Sequence, residues 1–488
     1  MKTTTNFLPG LSTKLQGRAR RRQLETLRLL REKARSESIS DLGTLFDFVL
    51  PLEKLAAVSR TVRDRIFPEV VTFWSWLSQI VLGNASCAHA LAMVQSWHSE
   101  AGLPVPSAGT SSYCRARQRL SKEFLDGAEE MVAKHAEARR ERWQLWHGHR
   151  LKAIDGTSFQ LLDTVKNQEK YPQSSAQAPG CGFPIVGVVG IIDLGDGRIL
   201  NTSVGPERQH DAKGLYELRG SFEKGDLLLA DRAFCSYELI ALLLDNEVQS
   251  VMRLHQKREG KLDWRKGRRV SPNSRVVVWT RPPKPGSCGI TVEEWEALPE
   301  TMKIRLVRAK GTDRHGKPRT LYIATTLLDA EAYPEKEIAT LYAERWSIEV
   351  KFRDIKSTLG LDFLRVKTPE MARKTLRMIC IAYNLVKALQ TEAAQTGAVL
   401  VTEIGFKGTL DVIAEFRRGF HGLQNRPRNL ARRMLMVADR LVERIIVQRP
   451  GRREPRAVKR RPKPHQYLTS PRSVFREILH RSHYRAAA

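Results

Sequence analysis

The chain has 488 residues, too many for one ordinary core, and its hydrophobic content of 41% is ample for two to four folded domains. Lysine and arginine number 82 against 53 acidic residues, a net charge of +29, which points to a polyanionic partner because each neutralised phosphate releases counterions. No apolar run reaches the ~18 residues of a membrane span, the first residues lack a signal-peptide core, and no C-x-x-C pair supports a zinc module or disulfide framework, so a soluble protein of a reducing cytoplasm is expected.

Residues 11–134 read as helical. The segment opens on Arg18, Arg20, Arg21 and Arg22, continues through the apolar FWSWLSQIVL, and reaches SSYCRARQRLSKEFL, where Ser111 and Ser112 are candidate caps. Arg115, Arg117 and Arg119 on that helix suit DNA contact, although a solvated face explains any one of them equally well. From Leu151 the texture changes. KAIDGTSFQLL, FPIVGVVGIIDL and RILNTSVG read as strands, followed by the helix DAKGLYELRGSF, the apolar strand DLLLADRAF, the helix SYELIALLLDNEV and the strand QSVMRLH. Hairpin strands followed by strand–helix–strand predict a mixed α/β sheet.

Between Gln256 and Asp329 the strands VVVWT, KIRLVRAK and TLYIATTLL are separated by clusters of proline, glycine and charge, a β-rich insertion. One long helical region is expected from Pro334 to Gly360, with further helices to Gln448 and then a basic, proline-rich arm. The domain plan is therefore a helical DNA-binding region (1–140), a core in two parts (141–255 and 330–390) flanking the insertion (256–329), a helical region (391–448) and a basic tail (449–488).

The chemistry concentrates in YAERWSIEVKFRDIKSTLG. At about 100° per residue, Tyr342, Arg345, Glu349 and Lys356 fall on one stripe beside an apolar face of Leu341, Ile348, Phe352, Ile355 and Leu359. A carboxylate there can hold a hard divalent cation while arginine and lysine clamp a phosphate; an amphipathic helix with ordinary ion pairs is the alternative. Asp155 follows the strand LKAI and Asp231 ends the strand LLLA, positions from which carboxylates can converge on a metal that also binds phosphate. Singly, Asp155-Gly156 reads as a turn and Asp231-Arg232 as a strand-end ion pair. Asp163 and Asp226 rank lower as ligands, because one lies past its strand and the other precedes it.

The spacing Y-x2-R-x3-E-x6-K of Tyr342, Arg345, Glu349 and Lys356 resembles the signature of bacterial insertion-sequence transposases of the IS-four family. AIDGTSFQLLDT around the first aspartate and LLLADRAF around the second extend the resemblance, which spans roughly residues 73–465. It implies an RNase H-like core with a β-strand insertion, and a DDE enzyme using Mg²⁺ or Mn²⁺ held by Asp155, Asp231 and Glu349. Tyr342, Arg345 and Lys356 would contact the transposon end. It further implies cut-and-paste movement through nicking, hairpin formation and strand transfer, and a homodimer on transposon ends and target DNA, with no membrane role. A flipped base could stack on a tryptophan of the insertion, Trp264, Trp279 or Trp295, although a structural role is the first reading of each; Arg208 and His210 are further candidate neighbours of the site. A regulator descended from a transposase, or a metal nuclease without strand transfer, are the competing functions. GTDRHGK imitates a phosphate-binding loop, but Pro318 replaces the metal-binding hydroxyl and strands flank it, so a hairpin turn and no use of ATP are expected.

Overall fold

The computed structural model describes residues 40–60, 65–100, 102–141, 144–178, 180–207, 211–285, 289–312, 318–420, 423, 426–446, 470–471 and 474. The arginine run at 18–22, most of the basic tail, and Arg208 and His210 lie outside the described residues. The described residues belong to two compact units: Met1–Arg140 with Thr358–Gly360 and Leu376–Ile446, and Glu141–Ser357 with Leu361–Thr375 and Val447–Ala488.

The first unit is helical. Its helix Glu69–Val81 is buried along almost its whole length, as the predominantly apolar and aromatic texture of FWSWLSQIV favours, with Ser75, Ser78 and Gln79 buried among the apolar side chains. The helix Lys122–Ala138 starts where the Ser121 hydroxyl accepts the Phe124 amide at 3.2 Å. Chain segments far apart in sequence are tied by charge: the Arg377 guanidinium donates to Asp126 at 2.6 Å and to Glu129 at 2.9 Å, and Arg139 pairs with Glu392 at 2.9 Å. Thr110, not Ser111 or Ser112, stands at the N-cap position of the helix Ser111–Arg119, and its side chain makes no capping hydrogen bond. Its three arginines divide. Arg117 stacks on the Trp76 ring at 4.0 Å and serves packing, whereas Arg115 and Arg119 are exposed.

The second unit is built on one eleven-stranded sheet. Its strands are β1 (Leu145–Trp146), β2 (His149–Leu161), β3 (Ile185–Asp193), β4 (Ile199–Pro206), β5 (Leu227–Ala230), β6 (Gln249–Arg253), β7 (Arg268–Ser271), β8 (Ser274–Thr280), β9 (Thr301–Thr312), β10 (Pro318–Thr325) and β11 (Phe363–Leu364). The order is β4-β3-β2-β5-β6-β10-β9-β8-β7, with β1 and β11 pairing onto β2. β2 is antiparallel to β3 and parallel to β5, and β5 is parallel to β6, so a mixed RNase H-like core occupies one half of the sheet. The insertion strands continue the same sheet as an antiparallel meander joined through β10 to β6. β9 and β10 pair with Thr312 facing Pro318 around the phosphate-loop imitation, whose residues 313–317 lie outside the described ones.

One face of the core half is sealed by the helices Asp211–Leu218 and Tyr237–Asp245, whose Leu215, Leu218, Leu239 and Ile240 pack with Ile154, Leu228 and Met252. The insertion tryptophans are partly absorbed by packing: Trp279 and Trp295 are buried, Arg258 lies over Trp279 at 3.9 Å, and Trp264 is half-buried beside Tyr322.

The expected single helix over residues 334–360 is interrupted. A lead-in helix (Glu335–Ala343) and a glutamate helix (Trp346–Arg353) are joined by a tight turn in which Arg345 N–H donates to Tyr342 O and Ile348 N–H to Arg345 O. These i→i−3 bonds wind the chain more tightly than an α-helix, and a π turn at Asp354–Thr358 then loosens it. The apolar positions Leu341, Ile348, Phe352 and Ile355 are all buried.

Candidate active site

Asp155 lies within β2, on the face opposite Ile154 because side chains alternate along a strand. The parallel register Leu151↔Leu227 and Ala153↔Leu229, carried two residues further, brings Asp155 level with Asp231, directly beyond the end of β5. The Asp155 carboxylate accepts the Gly156 amide at 2.8 Å, and Asp231 accepts the Ala233 amide at 2.8 Å, which fixes the turn after β5. Across the sheet Asp155 faces Gly190, and a Cβ on Gly190 would stand 3.1 Å from the ring of Phe352. The missing side chain lets the glutamate helix pack down beside Asp155.

Glu349 comes from that helix and is exposed; Arg345, in the turn before it, is buried. The Arg345 guanidinium reaches Asp155 Oδ2 at 3.5 Å with one terminal nitrogen and Glu349 Oε1 at 3.2 Å with the other. Burial, followed at a distance by the negative charges of Asp231 and Glu349, pushes the Asp155 carboxyl up to about 6, although Gly156 N–H and Arg345 hold it down. Tyr342 is buried, which raises its phenol; Arg345, Asp231 and Arg253 are the charges it feels.

Lys356 stands apart from this group. Its ammonium lies 5.4 Å from the Phe159 ring centroid, burial lowers its pKa, and it lines a cavity of about 380 Å³ with Gly156, Thr157, Ser158, Ser203 and Glu207. The single stripe expected on one helix is therefore two groups: Arg345 joins Glu349 to Asp155 and Tyr342 feels Asp231, while Lys356, on the π turn, borders the adjoining cavity. The two lower-ranked aspartates are engaged elsewhere, Asp226 with buried Lys152 at 2.5 Å and Asp163 with Gln168 at 2.8 Å. Sequence reasoning passed over Arg253. β5 and β6 align Ala230 with Met252, so Arg253 is level with Asp231, and its Nε has no hydrogen-bond partner among the described residues. The available signal was a basic residue ending an otherwise apolar strand.

Among the described residues no three His, Cys, Asp or Glu side chains form a ready-made metal-ligand group. The donor chemistry nonetheless suits a hard divalent cation, since Asp231 and Glu349 add their negative charge at a half-buried aspartate whose ionised form is disfavoured without a nearby positive charge. Arg345 supplies that charge by standing between Asp155 and Glu349.

A family model described as a transposase DDE domain matches residues 146–385, the segment that contains all three acidic residues. With the RNase H-like sheet, this makes the segment similar to the catalytic domains of DDE transposases, a family that works with divalent metal ions. Its relatives narrow the family. The transposase InsG of insertion sequence element IS4 from Escherichia coli strain K12 is 25% identical over 389 residues, 75% of this chain and 80% of that protein. The putative transposase InsZ of the same strain is 25% identical over 185 residues, 38% of this chain and 60% of that protein. The transposase of insertion sequence element IS421 from Escherichia coli is 38% identical over 71 residues, 14% of this chain and 18% of that protein. The chain is thus similar to transposases of IS4-type insertion sequences. Among the described residues no helix is long and apolar enough to cross a membrane.

Proposed function

We propose that this transposase binds the terminal inverted repeats of its own element and cuts and joins DNA strands at Asp155, Asp231 and Glu349 by a cut-and-paste route. The observation that carries this reading is geometric: the β2–β5 register sets Asp155 level with Asp231, and Arg345 reaches both Asp155 at 3.5 Å and Glu349 at 3.2 Å. In this reading Asp155, Asp231 and Glu349 hold Mg²⁺ or Mn²⁺. The cation, when bound, activates the attacking oxygen and offsets the charge on the leaving one. Above pH about 6 Asp155 presents an ionised oxygen from a rigid strand. Arg345, with its planar fork of donors, and Lys356, with its single charge, hold the backbone phosphates of the transposon end, and Tyr342 fixes the base of Arg345. The helical unit contributes exposed Arg115 and Arg119 to the electrostatic footprint on duplex DNA. Joining an element to a target requires two ends together, so the active form is a homodimer on DNA, working in the cytoplasm without ATP.

The test is incubation of the purified protein with its element's end sequences, a target plasmid and Mg²⁺. Strand-transfer products are expected; cleavage alone would make it a nuclease, and binding alone a regulator. Glu349→Gln should lower cleavage by about 10³-fold or more, while end binding stays within several-fold, because the change removes one ligand charge and little contact area. Unchanged cleavage by that variant removes Glu349 from the site.

A further inference from the structure

Arg345 engages an oxygen of each of the two carboxylates from which a divalent cation held by Asp155 and Glu349 would draw its ligands. Asp155 Oδ2 lies 3.5 Å from one terminal nitrogen and Glu349 Oε1 lies 3.2 Å from the other. Each carboxylate is met by one arm of the fork, and both distances exceed the ~2.7–2.9 Å of a strong charge-assisted hydrogen bond. The backbone beneath is held on both sides by the Tyr342 and Ile348 hydrogen bonds, so a change of partner falls to the long side chain. We propose that Arg345 competes with the cation for Asp155 and Glu349 and yields them by turning to a DNA phosphate, so that cation and DNA bind cooperatively through this one residue. The proposal rests on the reading of Asp155, Asp231 and Glu349 as cation ligands.

The argument is one of charge balance. A cation that takes both carboxylates leaves a buried guanidinium beside a second positive charge, a costly arrangement unless an anion replaces the lost partners. A backbone phosphate matches the fork and carries the required charge. Without DNA, therefore, cation binding weakens two ion pairs of Arg345; with DNA a phosphate replaces their negative charge. By linkage, whatever factor DNA adds to cation affinity, the cation adds to DNA affinity.

The test titrates Mn²⁺ into the full-length protein, reading free Mn²⁺ by its electron paramagnetic resonance signal, with and without a duplex of unrelated sequence. Arg345→Gln should bind Mn²⁺ roughly tenfold more tightly than the parent without DNA, and the enhancement by duplex should largely vanish. Arg345→Lys keeps the charge but loses the fork, and should fall between. Unchanged or weaker Mn²⁺ binding by a folded Arg345→Gln variant overturns the competition. Should that variant not fold, parent-like affinity and linkage in Arg345→Lys overturn it instead. Asp155→Asn and Glu349→Gln separate the layers. If neither weakens Mn²⁺ binding, the ligand reading fails and the competition falls with it; if both do and Arg345→Gln does not tighten it, only the competition is wrong.

Discussion

Lys152 and Asp155 stand three residues apart on β2, one buried and one half-buried, each against charge of the opposite sign, and their surroundings are built on opposite terms. Lys152 is 1% exposed; its ammonium meets Asp226 at 2.5 Å and the Ser221 carbonyl at 2.8 Å, and Asp226 also accepts the Glu223 amide at 2.6 Å. Every partner comes from the chain and the pair is closed. Asp155, on the other face, shares Arg345 with Glu349 at longer range, feels two further negative charges, and has its carboxyl held near 6. The first arrangement locks the sheet to the chain that follows the helix Asp211–Leu218. The second retains a conflict that an added cation would resolve, as expected where carboxylates are gathered for chemistry.

Breaking the closed pair should have the largest effect on folding. Asp226→Asn leaves the Lys152 ammonium buried without its counter-charge, and a loss of roughly 3–5 kcal/mol is expected in urea denaturation, whereas replacing both by apolar residues of similar volume should be far milder. A loss below about 1 kcal/mol for Asp226→Asn would show that the pair is not a lock.

Asp155→Asn should behave differently, through pH. With the carboxyl raised from 3.8 to about 6, the folded protein holds a proton that the unfolded chain releases. The resulting stability is fully present below pH 3.8 and is lost as pH rises through about 6. The loss amounts to about 2–3 kcal/mol at most. In chelator the stability of Asp155→Asn relative to the parent should therefore rise between pH 4 and pH 7, and a constant difference would mean that the carboxyl is not crowded. The smallest effect belongs to Lys356→Ala. Loss of about one phosphate contact should reduce the slope of log affinity against log salt by about one, and an unaltered slope removes Lys356 from the DNA.

Much of this was legible in the residues themselves. The β-branched run of β3 and the apolar run of β5 announce buried strands, and Glu349 is selected by its spacing from Tyr342 and Arg345. Three features were not legible, for different reasons. The tight turn at Arg345 and the π turn at Asp354–Thr358 preserve the burial of Ile348, Phe352 and Ile355, so the apolar periodicity gives no sign of the change in winding that separates Lys356 from Glu349. The joining of residues 40–138 with residues 376–446 depends on side chains such as Arg377, Asp126 and Glu392, whose partners lie some hundreds of positions away and leave no local pattern. β7, only Arg268–Ser271, carries too few apolar residues to be recognised without its partner β8.

β2 pairs with β1, β3, β5 and β11, and it carries Lys152 on one face and Asp155 on the other. A one-residue slip of such a strand exchanges its two faces. Asp155 would be forced among Leu215, Leu228 and Met252 while Lys152 lost Asp226, so both charges would be misplaced by the same error. The strand thereby proofreads its own alignment: a misregistered sheet is penalised twice, and the placement of Asp155 is guarded by the closed ion pair of Lys152 on the opposite face.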